Sequence, residues 1–248
     1  VIGRMVRRAL GPTHVVDRQL GWGAKASAYA AEISATLAAG KVPVLIELTA
    51  TEAEQARWAD AIWVDHHGPR AGEPTSLEQV HRLLGQAAPR WSRWHTLVAA
   101  NDRGHVRAMR AAGATLGQMR RVRAADRCAQ GITAEEEAAG AAALARAERL
   151  CSGRLLLVRL PHGRTATVAD RLALADASVT GADAAPTLLV VSPGEINAFG
   201  PGAAIEALVK AFPDGWWGGD LPDAGFWGAT QTAADETAAL AILKQLLG

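Results

Sequence analysis

The chain has 248 residues, with 26 Lys and Arg against 25 Asp and Glu, so its formal charge is only +1. This balance argues against a dedicated nucleic-acid coat protein, which would carry a strong basic excess. The longest apolar stretches, such as residues 155–160, are too short to cross a bilayer, and two cysteines are too few for a disulfide framework. We therefore expect a cytoplasmic protein with reduced thiols and no membrane partner.

The first half of the chain alternates short apolar runs with longer Ala-rich segments. The apolar runs predict strands at residues 14–16, 42–48, 61–64 and 94–100. The segments between these runs predict helices at residues 24–39, 51–59 and 76–86. Ser76 is a suitable N-cap for the last of these helices. Repeated alternation of strand and helix favours a parallel sheet with helices on its faces.

The second half begins with a helical pattern over residues 103–150 and then returns to sheet patterns. Its Ala- and Glu-rich part is either a connector between two lobes or a solvated helix of the first lobe. Beyond it we predict strands at 154–160 and 187–192, helices at 165–175, 202–212 and 232–247, and a loop at 213–228. The domain prediction is 1–125 for the first domain, 126–150 for a helical connector and 151–248 for a smaller α/β domain.

Residues with metal-binding side chains fall at the ends of three of the predicted strands: Glu47, Asp65 with His66 and His67, and Asp102. The carboxyl ends of parallel strands face one crevice, so these side chains are expected to converge. A mixture of carboxylates and imidazoles suits Mn²⁺, Fe²⁺, Co²⁺ or Zn²⁺. Helix capping explains a single aspartate equally well, but Asp-His-His between an apolar strand and a glycine favours a site.

Residues 62–68 read Ile-Trp-Val-Asp-His-His-Gly, which resembles the namesake motif of the DHH phosphoesterase superfamily. Residues 75–80 resemble the stretch that opens the next helix of that family. The Asn-Asp-Arg-Gly of residues 101–104 stands where the family has a later metal-binding aspartate. Residues 214–220, Asp-Gly-Trp-Trp-Gly-Gly-Asp, are similar to the glycine-rich substrate loop of the family's second, DHHA1-like lobe.

This resemblance implies roles for the residues of the motif. His66 and Asp102 would be metal ligands, and His67 would contact the substrate or its transition-state oxygens. Asp65 would ligate or orient the site, and Glu47 stands in place of a second-motif aspartate. The family pattern places two divalent cations, here expected to be Mn²⁺, beside one attacking water.

The first motif departs from the family pattern of a histidine and two aspartates ahead of a glycine turn. Arg18 and Leu20 fall where aspartates are expected. Asp17, a further candidate metal ligand, and His14 would replace them only through a shifted loop. Arg18 would instead place a guanidinium where a cation once sat, and the pocket would then hold an anion without metal.

The second lobe offers candidate substrate-binding residues. Gly218 and Gly219 can turn backbone N–H groups toward an anion, and Asp220 belongs to the same predicted loop. Arg164, in a turn after a predicted strand, would add a phosphate contact, although a plain tight loop explains it equally well. The aromatic residues nearby would stack on a planar ligand, pack in a core or lobe interface, or serve a homodimer: Trp216, Trp217, Phe226 and Trp227.

The sequence therefore predicts a metal-dependent phosphoesterase that acts on a nucleotide, a short oligonucleotide or a small phosphorylated compound. The alternative is a catalytically degenerate DHH-fold protein that binds a phosphate-bearing ligand or a protein partner without hydrolysis. A third interpretation is an unrelated α/β enzyme in which the Asp-His-His string is accidental.

Overall fold

The computed structural model of the chain describes residues 1–21, 23–176 and 186–248. Internal contacts divide the chain into two units, Val1–Arg103 and Gly104–Gly248. Both units combine helices and strands, so the predicted mixed α/β class is confirmed. The predicted domain limits near residues 125 and 150 fall inside the second unit and stay predictions.

The first unit contains a two-stranded parallel sheet of β1 (Val44–Ile46) and β2 (Ile62–Val64). Its helices are α1 (Ile2–Leu10), α2 (Ala30–Ala38), α3 (Glu52–Arg57), α4 (Ser76–Leu84) and the first part of α5 (Arg93–Ala111). Helix α5 is interrupted at Gly104 and His105, where the backbone leaves helical dihedral angles. The boundary between the two units falls at this interruption.

One hydrophobic core of the first unit lies between β1 and α2. Leu45 of β1 and Ile33 of α2 are buried with Trp58, which is 2% exposed. Val44, the neighbour of Leu45 in β1, is 42% exposed. Because successive strand residues point to opposite faces, β1 has one face in this core and one face open to solvent.

The second unit contains a six-stranded sheet in the order β3-β4-β5-β6-β8-β7. Its strands are β3 (Glu148–Leu150), β4 (Leu155–Arg159), β5 (Thr187–Ser192), β6 (Glu195–Pro201), β7 (Trp216–Asp220) and β8 (Ala224–Thr230). Strands β4 and β5 are parallel, and the other neighbouring pairs are antiparallel. The sheet of this unit is therefore mixed rather than parallel.

Helices cover both faces of this mixed sheet. Those of the second unit that follow α5 are α6 (Leu116–Ala129), α7 (Ala134–Ala145), α8 (Ala166–Asp176), α9 (Gly202–Ala211) and α10 (Glu236–Leu247). Leu157 of β4 packs in one cluster with Leu208 of α9 and Leu243 of α10. Val158, its neighbour in β4, packs on the other face with Val168 of α8. The alternation along β4 thus builds two cores.

Two glycines allow close approach in the second unit. A Cβ atom on Gly140 of α7 would lie 2.3 Å from the hydroxyl oxygen of Thr167 in α8, so glycine lets these helices touch. Gly202, the first residue of α9, packs against the backbone of Pro222. A Cβ atom on Gly202 would lie 1.9 Å from the Pro222 carbonyl oxygen. A larger residue at either position would push the elements apart.

The strand predicted at residues 94–100 is wrong, because these residues lie in helix α5. A short apolar run has no periodicity that separates a buried strand from a buried helix. Here the buried residues continue at helical spacing through Leu97 and Ala100, and alanine favours the helix. Asp102 therefore comes from a helix and not from the end of a strand.

Two further predictions are corrected. Residues 213–228, predicted as a loop, form the greater part of strands β7 and β8, because Trp227 is fully buried and anchors the hairpin in the core. The strand predicted at 14–16 is absent, and Pro12–His14 forms a 3-10 turn instead. Across the described ranges, helices that are both long and apolar enough to cross a membrane are not found.

Candidate metal centre

The parallel strands β1 and β2 end side by side and bring the chain segments of the candidate site together. Ile46 and Val64 are partners in register, so Glu47 and Asp65 each follow directly after a paired residue. The Glu47 N–H donates a 2.9 Å hydrogen bond to the Val64 carbonyl. The predicted convergence at strand ends therefore holds for these two segments.

Glu47 has a left-handed backbone conformation, with φ of 53°. This region is uncommon for a residue with a Cβ atom, and strain of this kind is concentrated at functional positions. The glutamate thus occupies a position where glycine or asparagine would be the unstrained choice. The observation supports a role for its carboxylate in a site.

Glu47, His66 and His67 form a cluster that could hold a metal ion. One ligand atom from each residue lies within 4.8 Å of the other two. His66 is 8% exposed, whereas Glu47 and His67 are open to solvent. A cation in this cluster would have a buried imidazole on one side and solvent on the other.

The two nitrogens of the His66 ring face different carboxylates. Nδ1 is 3.7 Å from Oε1 of Glu47, and Nε2 is 3.4 Å from Oδ2 of Asp102. Nε2 is buried and, in the described part of the chain, has no hydrogen bond of acceptable geometry despite the short distance to Asp102. Asp102 contacts His66 but is not a member of the three-residue cluster.

The spacing of His66 and Asp102 fits a shared metal ion. Two ligand atoms at about 2.1 Å from one ion lie about 3.4 Å apart when the angle between them is tetrahedral. Nε2 has no hydrogen-bond partner among the described residues, and in the tautomer with the ring proton on Nδ1 its electron pair would be free to bind a cation. The donor set of imidazole and carboxylate suits Mn²⁺, Fe²⁺, Co²⁺ or Zn²⁺, so the residues fit a divalent cation.

Ser76, the first residue of α4, holds the other side of the His66 ring. Its backbone N–H donates a 3.3 Å hydrogen bond to Nδ1, and its hydroxyl oxygen lies 3.2 Å from the same atom. When Nδ1 carries the ring proton, it donates to the hydroxyl and leaves Nε2 with a free electron pair. The backbone N–H can donate only to an unprotonated Nδ1, so metal binding at Nε2 requires Nδ1 to give up this bond and to donate to the hydroxyl instead.

The Asp65 carboxylate contacts the ring of His67, and it contacts only the backbone of His66. Its Oδ1 accepts hydrogen bonds from the N–H groups of His66 and His67, at 2.7 and 3.0 Å, and from Nδ1 of His67 at 2.8 Å. Burial opposes ionisation of Asp65, but the hydrogen bonds from His67 and His66 outweigh it and hold the pKa below its ordinary value. An ionised Asp65 can only accept, so Nδ1 of His67 carries a proton, and in the neutral ring the free electron pair is on Nε2.

The residues of the first motif are not members of the three-residue cluster. Asp17 accepts a hydrogen bond from the Gln19 N–H at 2.9 Å and lies 3.9 Å from a guanidinium nitrogen of Arg7. Arg18 forms an ion pair with Glu32, and its guanidinium lies 5.4 Å from the centre of the Tyr29 ring. Asp17 and Glu47 both line one cavity of the first unit, so the first-motif segment and the end of β1 border the same cavity.

A cavity of about 1220 Å³ opens beside the cluster within the first unit. Glu47, Asp65 and His67 line it, together with residues from α1, α2, β1 and α4. The exposed members of the metal cluster thus meet a space large enough for an organic ligand.

The candidate substrate-binding residues of the second unit lie in different settings. Arg164 has its Nε atom 3.6 Å from Glu136 and is half exposed. Gly218 and Gly219 are paired in strand β7, with Phe226 and Gly225 of β8 as their partners. Their backbone groups belong to a sheet edge and not to a loop, and the side chain of Asp220 lies outside the described part of the chain.

Two residues that support the site were not predicted as part of it. Ser76 contacts His66, and the Gln79 amide donates hydrogen bonds to the carbonyls of Asp65 and Pro74 at 2.8 and 2.7 Å. The predicted cap of α4 is corrected by one position: Thr75 is the N-cap and forms a capping box with Glu78. The Thr-x-x-Glu spacing is a sequence signal that would have placed Ser76 at the helix start.

No family model and no curated protein sequence matches this chain.

Proposed function

We propose that this protein is a divalent-metal-dependent phosphoesterase of the DHH type. The observation that carries the proposal is the approach of Glu47, His66 and His67 to one another, with Asp102 beside the buried nitrogen of His66. These residues include the Asp-His-His string and the later aspartate on which the family resemblance rests. Mn²⁺ is the cation that we expect for this donor set.

The metal ion would supply an activated water and positive charge next to the phosphoryl group. Hydrolysis joins the oxygen of water to phosphorus and breaks the bond between phosphorus and the leaving oxygen. The products are an alcohol and a phosphate, and water is the only co-reactant. The reaction needs no redox partner.

The protein residues divide the work of binding and orientation. One nitrogen of His66 would bind the cation together with the carboxylate that faces it, which is Asp102 at Nε2 or Glu47 at Nδ1. Asp65 positions the ring of His67 through its hydrogen bond to Nδ1. His67 lines the cavity, where its ring would support the negative charge of the phosphoryl oxygens. The proposed substrates are a nucleotide, a short oligonucleotide or another small phosphorylated compound.

The proposal is tested by measuring the bound metal and the turnover of the same protein. Purified protein would be loaded with Mn²⁺, dialysed, analysed for metal and assayed with bis(p-nitrophenyl) phosphate. We expect near-stoichiometric metal and Mn²⁺-dependent turnover, and we expect both to be lost in His66→Gln. His95→Gln is the matched control, because His95 belongs to the same unit and bonds to Ser92.

A second candidate function is metal or phosphate binding without hydrolysis. It is favoured by Asp17, which lies near Arg7 and bonds to Gln19 while the cluster draws on other residues. A site that lacks the first-motif aspartates has fewer oxygens to bridge two cations. Metal binding that depends on His66, without turnover of any phosphoester, would favour this candidate.

A further inference from the structure

The cavity beside the metal cluster is lined mainly by aliphatic side chains. The structure exposes eight large apolar side chains in the described part of the first unit, and six of them line this cavity. The six are Leu10, Val16, Leu20, Val42, Val44 and Leu83. An apolar surface gathered in one place next to polar residues is typical of a ligand-binding groove.

The exposure of these side chains is large. Val42 is 58% exposed, Val16 is 57% exposed and Leu83 is 49% exposed. Water in contact with this much aliphatic surface is unfavourable, and a ligand that displaced it would gain affinity. The lining therefore selects for an apolar occupant over a polar one.

The same cavity has a polar end at the metal cluster. Glu47 and His67 are both cluster members and lining residues, and Asp65 lines the cavity beside them. A ligand that fills the cavity would thus meet a bound cation at one place and, over most of the remaining lining, aliphatic side chains, with polar residues such as Asp17 and Glu32 among them. This combination matches a molecule with an anionic head group and an apolar body.

The lining is poorly suited to a nucleotide. Among the described lining residues, one side chain is a Phe, Tyr or Trp, namely Tyr29, and one is a Lys or Arg, namely Lys41. Nucleotide sites stack bases on aromatic rings and neutralise phosphates with several cationic groups. Aliphatic chains need neither, and the cavity volume of about 1220 Å³ exceeds the space that a phosphate group requires.

We propose that the substrate of this site is a single-chain aliphatic phosphoester, bound as a free molecule. Its phosphate would sit at the cation bound by His66, in contact with His67, and its alkyl chain would lie along the six exposed aliphatic residues. This inference rests on the proposed function and narrows the substrates named there. It places the specificity of the enzyme in α1, β1 and α4 of the first unit.

The test uses n-alkylphosphonates, which carry the head group but have no ester bond to hydrolyse. Methyl-, butyl-, hexyl- and octylphosphonate would be titrated calorimetrically into the Mn²⁺-loaded full chain, below their micelle concentrations. Each fully buried methylene group contributes a factor of about four to affinity. We expect affinity to rise with chain length by up to about 15-fold for every two methylene groups.

Leu83→Asn and Leu246→Asn form a matched pair of variants. Leu83 is 49% exposed and Leu246 is 50% exposed, and each is the last but one residue of its helix, α4 and α10. Only Leu83 lines the cavity. We expect Leu83→Asn to weaken octylphosphonate at least fourfold while methylphosphonate is unchanged, and Leu246→Asn to leave both affinities unchanged.

The outcomes separate this inference from the proposed function. Metal and methylphosphonate binding without any gain from chain length would overturn the aliphatic substrate and leave the phosphoesterase standing. Failure to bind metal would contradict both the aliphatic substrate and the phosphoesterase function. The inference is also overturned by a dinucleotide that binds more tightly than octylphosphonate, or by dimers that dissociate in Leu83→Asn, because the cavity would then receive a second copy of the chain.

Discussion

The Nε2 atom of His66 lies 3.4 Å from an oxygen of Asp102, although the two residues come from different kinds of element. His66 follows strand β2, and Asp102 lies in helix α5. The nitrogen is buried, and within the described residues it makes no hydrogen bond. A cation between these two groups would satisfy both of them, because it would accept electron pairs from the nitrogen and the carboxylate together.

Asp102→Asn tests this relationship. The substitution keeps the shape of the side chain but removes the charge, so Mn²⁺ affinity is expected to fall at least 10-fold. Affinity would be measured by competition with a fluorescent chelator. Asp60→Asn, at an exposed position of the same unit, is the control and should leave the affinity unchanged. Equal affinities in the two variants would show that Asp102 is not a ligand.

Ser76→Ala tests the control of the His66 tautomer. The hydroxyl lies 3.2 Å from Nδ1, and the serine is fully buried. Without the hydroxyl, Nδ1 retains the backbone N–H of residue 76 as its partner, which favours the tautomer with the proton on Nε2. We therefore expect Mn²⁺ affinity to fall about 10-fold while the far-ultraviolet circular dichroism is unchanged. Unchanged affinity would mean that the hydroxyl does not select the tautomer.

The local part of the candidate site was predictable from the sequence, since Asp65, His66 and His67 directly follow a recognisable apolar run. The position of Asp102 was not predictable, because residues 94–100 are mostly apolar and have no period that distinguishes a helix from a strand. The contact with His66 therefore depends on helix packing that no local pattern encodes. Whether Asp17 and Arg18 take part in the site stays a prediction.

The mixed sheet of the second unit was the least predictable feature. Strand β7 reads Trp-Trp-Gly-Gly-Asp, and glycine is a poor strand former on local propensity alone. It pairs because Gly219 and Gly225 approach closely: a Cβ on Gly219 would lie 2.6 Å from the Gly225 Cα atom. Such tertiary contacts decide the strand, and the same glycines that suggest a loop permit the close pairing.

Thr75→Ala tests the start of helix α4. The Thr75 hydroxyl accepts a hydrogen bond from the Glu78 N–H, and the Thr75 N–H donates to the Glu78 carboxylate at 2.8 Å. Loss of the cap should lower the free energy of unfolding by about 1 kcal/mol. Urea denaturation of the full chain would measure it. Thr75→Ser keeps the hydroxyl and should retain most of the stability, so an equal loss in both variants would argue against capping.

Glu78 gives a prediction for acid stability. Partial burial opposes its ionisation, but hydrogen bonds from Thr75 and the charges of Arg103 and Arg82 hold its pKa below the ordinary value. The folded state therefore binds fewer protons than the unfolded state near the ordinary glutamate pKa of about 4.3. Stability from this group is complete above that pH and is lost as the pH falls toward the folded pKa.

Glu78→Gln isolates this effect from that of the other carboxylates. The difference in free energy of unfolding between wild type and variant should be constant near neutral pH and should shrink below about pH 4.3. Urea denaturation at closely spaced pH values would measure it. A difference that stays constant down to pH 3 would show that the capping box and Arg103 do not lower the pKa of Glu78.

Asp170 gives the strongest stability prediction in the second unit. Its carboxylate accepts from Arg123 at 2.8 Å and from Arg127 at 2.6 Å, and the side chains of Arg123 and Asp170 are 3% and 7% exposed. Removing a buried charge leaves its partners without compensation, so Asp170→Asn should destabilise this unit by about 3 kcal/mol or more. Hydrogen exchange of the α8 amides would report the loss within the full chain.

The double variant Arg123→Met with Asp170→Leu removes both charges, and it should recover much of the stability because apolar packing often replaces a buried ion pair without loss. If Asp170→Asn exchanges as slowly as wild type, the ion pair does not hold α6 and α8 together.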